Sequence, residues 1–144
     1  HGHDSEMQLA VARTLEQLEL EPVILHEKAN RGRTVIEKFE HHADVSFAVV
    51  LLSPDDMGYS RQTLPDKARP RARQNVVLEL GYFMGKLGRA NVLSLYRDIS
   101  NFELPSDFSG ILYTPYDGPN GTWRMRLAKE LGEVGFNVDF SRLS

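Results

Sequence analysis

Hydrophobic positions along this chain follow two rhythms that alternate from one end to the other. Met7, Val11, Leu15 and Leu18 recur at helical spacing, so Asp4 to about Glu19 reads as an amphipathic helix, with Asp4 or Ser5 as cap and Glu6 in the first turn. Glu21-Pro22 ends it, and Pro22-Val23-Ile24-Leu25 is a short apolar run of the kind found in buried parallel strands. A polar stretch without period, His26 to Arg33, predicts a loop. Thr34 opens a second helix that runs to about His42 on an inner face of Val35, Ile36 and Phe39. Val45 to Leu52 is apolar over almost its whole length and predicts a central strand, closed by Ser53-Pro54-Asp55-Asp56. The segment from there to Pro70 is polar and is expected to be a long loop, a feature that in compact domains is usually functional or mobile. Asn91 to Tyr96 and Gly110 to Tyr113 read as two further strands. Thr122 is the expected cap of a last helix through about Val134, with Trp123, Leu127 and Leu131 on one side and Gly135 as its stop.

Strands alternating with helices imply an α/β fold: a parallel sheet covered on both faces and joined by right-handed crossovers. The opening His1-Gly2-His3-Asp4 leads straight into a helix, as if a preceding strand had been cut away. With that strand added, the sheet has about five strands. The expectation is one domain over 1–144, taken from a longer chain.

The segment Arg71 to Arg89, RARQNVVLELGYFMGKLGR, is the one around which the rest is arranged. Val76, Val77, Leu78, Leu80, Tyr82, Phe83, Met84 and Leu87 make it apolar around nearly its whole circumference, which predicts a helix sunk into the domain. Glu79 stands in the middle. An ionised carboxylate is costly to remove from water, so in that setting it is paired, lies at a cleft wall, or carries a raised pKa. Arg71, Arg73 or Arg33 would serve as a purely structural partner. Helical spacing also places Arg71, Asn75 and Glu79 in register on one face, a cation, an amide and a carboxylate able to meet a polar ligand.

Composition narrows the classes. A chain of 144 residues, 41% hydrophobic and 26% charged, suits one compact domain, and its net charge of -3 argues against general nucleic-acid binding. The stretch Arg61 to Arg73 is locally basic and suited to a phosphate. There is no cysteine, so disulfides and thiolate metal sites are out of reach and a cytoplasmic setting is expected. No apolar run is long enough to span a membrane. His1, His3, His41 and His42 match no catalytic zinc spacing, and no metal is expected. Gly32 stands alone, without a glycine-rich phosphate fingerprint.

HGHD, the loop HEKANRGRT, the strand FAVVLLSPDD and the helix RARQNVVLELGYFMGKLG, in that order, resemble the TIR (Toll/interleukin receptor) family. The likeness is to the prokaryotic branch of TIR-like effectors in cyclic-nucleotide-activated anti-phage systems of the CBASS and Pycsar type, including TIR-STING fusions. It implies a flavodoxin-like three-layer fold, with His26 to Arg33 as the BB loop through which TIR domains self-associate. It also implies an NAD+ glycohydrolase that cleaves the nicotinamide-ribose bond, activated by oligomerisation. A fused sensor domain binding a cyclic nucleotide is the implied partner. NAD+ is the substrate and no true cofactor is implied. Glu79 matches the catalytic Glu that ends the W-x-x-x-E motif of many NAD-cleaving TIR domains, whereas the aromatic position holds Asn75. His3, Asp4, Glu27, Gly32, Arg33, Thr34 and Asn75 are the expected contacts to the substrate, with Arg33 suited to a phosphate oxygen. Two alternatives stand beside this reading: a non-catalytic assembly module, and an enzyme resembling nucleoside deoxyribosyltransferases.

Overall fold

The computed structural model describes residues 5–22, 46–105 and 113–144. The expected strand at 23–25, the loop 26–33, the helix 34–42 and the start of the last expected strand at 110–112 lie outside the described residues. Among the described residues the main sheet is parallel and has three strands in the order β1-β4-β5: β1 (Ala48–Leu52), β4 (Val92–Arg97) and β5 (Tyr113–Tyr116). Ala48 is in register with Val92, and Ser94 with Tyr113. Of the five strands expected, one was placed ahead of His1 and one lies at 23–25, outside the described residues; the three described strands correspond to the others. The helices are α1 (Ser5–Gln17), α2 (Gln74–Leu87) and α3 (Trp123–Glu133).

Side chains leave a strand alternately to its two faces, and here the alternation separates two cores. Leu51, Leu93, Leu95 and Tyr116 pack with Met7, Ala10 and Val11 of α1 and with Trp123, Leu127, Ala128 and Leu131 of α3. Val50 and Leu52 instead meet Val76 and Leu80 of α2, joined by Val92, Tyr96 and Tyr113. The result is three layers, α2 on one face of the sheet and α1 with α3 on the other, as in flavodoxin-like TIR folds. Leu80, Leu95 and Leu127 are wholly inaccessible to water. Burying a side chain of that size contributes about 1.5–3 kcal/mol.

The helix ends show why the elements stop where they do. α1 ends two residues before the expected Glu19, because Glu19 turns into the left-handed region (φ 63). Leu20 N–H then donates to Leu15 O at 2.9 Å and Glu19 N–H to Glu16 O at 2.9 Å, the paired closing bonds of a Schellman turn. Gly135 (φ 105) closes α3 in the same way, with Phe136 N–H on Leu131 O at 3.0 Å. At the start of α3 the expected cap is wrong. Thr122 is already helical (φ -69, ψ -19) and its side chain does not cap. Asp117 caps instead, accepting from Thr122 N–H at 2.9 Å, Trp123 N–H at 3.3 Å and the Thr122 hydroxyl. Gly121 makes room for this, since a Cβ there would sit 2.7 Å from Asp117 O.

Two expectations about the middle of the chain also change. The polar segment after β1 carries secondary structure: β2 (Asp56–Gly58) pairs antiparallel with β3 (Arg69–Arg71) as a short ribbon. And α2 is not sunk on all sides. Val76, Leu80 and Phe83 are buried, but Leu78 is 50% exposed, so the helix is one-sided and its apolar composition overstated its burial.

Candidate functional site

Residues at opposite ends of α2, with Ala72 just ahead of it, meet opposite ends of the strands. Ala72 and Val76 cluster with Leu52 and Tyr96 at the strand carboxyl ends, while Phe83 and Leu87 cluster with Ala48 and Val92 at the amino ends. So α2 runs antiparallel to β1 and β4, and its first turns stand over the sheet edge where open α/β folds bind ligands. Its amino end is cationic in character. Arg73 is the N-cap residue, extended (φ -62, ψ 148) and without a side-chain cap, and no acidic residue lies in the first turn. Unpaired helix amides favour anions at such a position.

Glu79 lies in the second turn and is half-buried. At about 100° per residue it falls beside the stripe of Val76, Leu80 and Phe83, at the boundary between core and surface. That boundary position replaces the fully apolar surroundings expected for it. Asn75 precedes it by one turn on the same flank and is exposed. Arg71 does not complete that face. It belongs to β3, ahead of the helix, and its Nη1 lies 3.7 Å from Glu103 Oε1. No Arg or Lys among the described residues is buried.

The structure therefore brings Asn75 and Glu79 together and separates Arg71 from them. His3, Asp4, Glu27, Gly32, Arg33 and Thr34 lie outside the described residues, as do His1, His41 and His42. Among the described residues no group of His, Cys, Asp or Glu is arranged to hold a metal. No described helix is long and apolar enough to cross a membrane.

Other polar groups gather along the same edge of the sheet. Arg97, at the end of β4, pairs with Glu6 in the first turn of α1 at 2.8 Å and covers the Tyr116 ring at 4.9 Å. Beside it the Thr122 hydroxyl, and after it the Thr122 amide, hold the Asp117 carboxyl below its ordinary pKa. Away from that edge, at the start of β5, burial raises the Tyr113 phenol, whose hydroxyl donates to Pro105 O. Ser53, buried just past β1, donates to Asp55 at 3.2 Å. Sequence reading passed over the pairing of Arg69 and Arg71 with Glu103. The only trace of it is the alternation Arg69-Pro70-Arg71-Ala72-Arg73, a strand rhythm inside a segment expected to be loop.

Three layers and parallel strand pairing make this a flavodoxin-type α/β domain. Residues 1–118 match the family described as CAP12/Pycsar effector protein, TIR domain. The chain belongs to that family. It is 47% identical over 140 residues to the protein YuaY of Escherichia coli (strain K12), covering 96% of this chain and 45% of that protein. It is 38% identical over 125 residues to protein tirC of Dictyostelium discoideum, covering 81% of this chain and 61% of tirC. It is also 38% identical over 73 residues to the Pycsar effector protein XpPycTIR of Xanthomonas perforans, covering 51% of this chain and 23% of that effector. The chain thus spans less than two thirds of each of these relatives.

Proposed function

We propose that the chain is the NAD+ glycohydrolase domain of an anti-phage effector and that Glu79 is its catalytic carboxylate. The observation that carries this is the placement of Glu79, half-buried on the second turn of a helix that stands over the strand carboxyl ends. The names of its Pycsar relatives support the setting.

The chemistry suits a lone carboxylate. The nicotinamide of NAD+ is already cationic, so it leaves with the glycosidic electron pair as a neutral base and needs no acid to protonate it. Positive charge then builds on the ribose ring in an oxocarbenium-like transition state, which a fixed anion stabilises while accepting hydrogen bonds from ribose hydroxyls. Water adds to the anomeric carbon and gives up a proton, leaving ADP-ribose. A carboxylate at the edge of an apolar core acts through a lower effective dielectric than one in open water. In this reading Asn75, one turn before Glu79, faces the same substrate, joined by His3, Asp4, Glu27, Gly32, Arg33 and Thr34. Self-association through His26–Arg33, driven by a fused cyclic-nucleotide sensor in the cytoplasm, switches the domain on.

The test is nicotinamide release from NAD+ by the assembled protein. Glu79→Gln keeps the size of the side chain and removes the charge, and is expected to reduce kcat about a hundredfold or more. Equal release by the variant overturns the assignment. A second reading, a TIR module that assembles without catalysis, is favoured by the exposed Asn75 at the position that is aromatic in the W-x-x-x-E motif of many NAD-cleaving TIR domains. Failure of the assembled wild type to consume NAD+ would select it.

A further inference from the structure

Two segments that the proposed chemistry does not use are tied to each other next to the start of α2. Glu103 N–H donates to Pro70 O at 2.8 Å, and Glu103 forms a parallel bridge with Arg71, extending the β2-β3 ribbon by one residue. Its carboxylate lies 3.7 Å from Arg71 Nη1 and 3.8 Å from Arg69 Nη1. Arg69 grips the same segment through its other donors, with Nε on Asn101 O at 3.2 Å and Nη2 on Phe102 O at 3.4 Å. The Arg71 side chain lies across the ribbon over Gly58, and a Cβ on Gly58 would occupy the place of its guanidinium. On either side of Glu103, Phe102 and Leu104 pack into the cluster that holds Val76 and Leu80, and Phe102 meets the Tyr96 ring edge-on at 6.2 Å. Thus the strap 101–104 is bonded to the strand that leads into α2 and packed into the core beneath that helix.

We propose that Glu103 is a positioning residue for Glu79. It acts through Arg69 and Arg71, which fix the path of β3 three residues ahead of Gln74 and so set where α2 begins and how it tilts over the sheet. Solvent-exposed ion pairs of this length contribute little to stability, and both partners here are about two-fifths exposed (41–43% for the arginines, 40% for Glu103). The role proposed for them is therefore local, acting together with the Glu103 N–H bond to Pro70 O and the Arg69 bonds to Asn101 O and Phe102 O on the path of β3. A displacement of about 1 Å at a reacting group costs up to about a hundredfold in rate, so a small tilt of α2 registers in turnover before it registers in melting.

The inference rests on the proposed function only for its catalytic readout, and the experiment carries a second readout that does not. Compare wild type, Glu103→Gln, Glu103→Asp and Gly58→Ala in the whole protein. Amide hydrogen exchange is followed at Val76 and Val77, whose N–H groups donate to Arg73 O at 3.0 and 3.2 Å. Nicotinamide release gives kcat and KM. Glu103→Gln is expected to speed exchange at Val76 and Val77 about fivefold and to lower kcat about tenfold, with KM within about twofold and an almost unchanged Tm. Gly58→Ala, which evicts the Arg71 guanidinium without altering charge, should reproduce this, and Glu103→Asp should recover most of the turnover. Unchanged exchange at Val76 and Val77 overturns the proposal, and so does a loss of protection spread evenly over the protein with a matching fall in Tm. If the wild type releases no nicotinamide, the proposed function fails, and exchange at Val76 and Val77 alone decides the role of Glu103.

Discussion

Replacing Asp117 tests how the last helix is held, and the structure provides the magnitude. Its carboxylate accepts from two first-turn amides of α3 and from the Thr122 hydroxyl, so Asp117→Ala strands donors that the helix itself cannot satisfy. Losing such a cap costs about 1 kcal/mol, up to about 2. Asp117 is exposed, so water replaces part of what is lost and the lower half of that range applies. Asp117→Asn keeps an oxygen acceptor but loses the negative charge beside a helix amino end, a change of about 0.5 kcal/mol. The sign of the pH dependence follows from the lowered pKa. A carboxyl whose folded pKa lies below its unfolded value contributes fully above the ordinary carboxylate range, and the contribution fades as pH falls through the folded value. The gap between wild type and Asp117→Asn should therefore be complete at pH 7 and shrink below about pH 4. Urea unfolding followed by fluorescence of the single tryptophan reads it, since Trp123 lies on this turn and its indole N–H donates to Gly118 O at 2.6 Å. An equal gap at pH 7 and pH 3, or an Asp117→Ala protein as stable as wild type, refutes the capping argument.

Two further outcomes are open to direct measurement. Leu80→Ala removes a wholly buried side chain at the contact between α2 and the sheet, and equilibrium unfolding should show a loss of about 2–5 kcal/mol. A loss under 1 kcal/mol would mean that α2 does not pack on the sheet as described. Arg97→Ala breaks both the ion pair to Glu6 and the contact with the Tyr116 ring, and a double-mutant cycle with Glu6→Ala should assign about 0.5–1 kcal/mol to the pair. Strict additivity would show that the pair contributes nothing.

Much of this fold was legible in the sequence where one physical rule acts alone. α1 and α3 carry their apolar residues at helical spacing, and β1 is an apolar run bounded by Ser53-Pro54, so each was placed to within a few residues. Where two rules compete, legibility fails. The last strand was expected at Gly110 to Tyr113; 110–112 lie outside the described residues, and the strand continues past Tyr113 to Tyr116, although Pro115 argues against a strand. Yet β5 is the outer strand of the described sheet, and an outer strand tolerates a residue that cannot donate. β2 and β3 have three residues each and are polar, too short for any rhythm to declare them. The cap of α3 comes from Asp117, five positions upstream of Thr122, beyond the local signature of a helix start. Glu79 was singled out from its apolar neighbours, yet its degree of burial was not legible, since Leu78 and Val76 look alike in sequence and only packing separates the exposed one from the buried one.

The parallel pairing of β1 with β4 bears on how the chain is made. Ala48 finds its partner at Val92, 44 positions later (92 minus 48), so on the ribosome the run Ala48–Leu52 emerges long before the strand that will accept its hydrogen bonds. During that interval the edge of β1 that will meet β4 is open to any passing chain. What emerges in between is α2, whose Val76 and Leu80 cover Val50 and Leu52. The helix that carries Glu79 is thus also the shelter for that face of the strand beneath it, and a nascent chain weakened there would be expected to clump before it could fold.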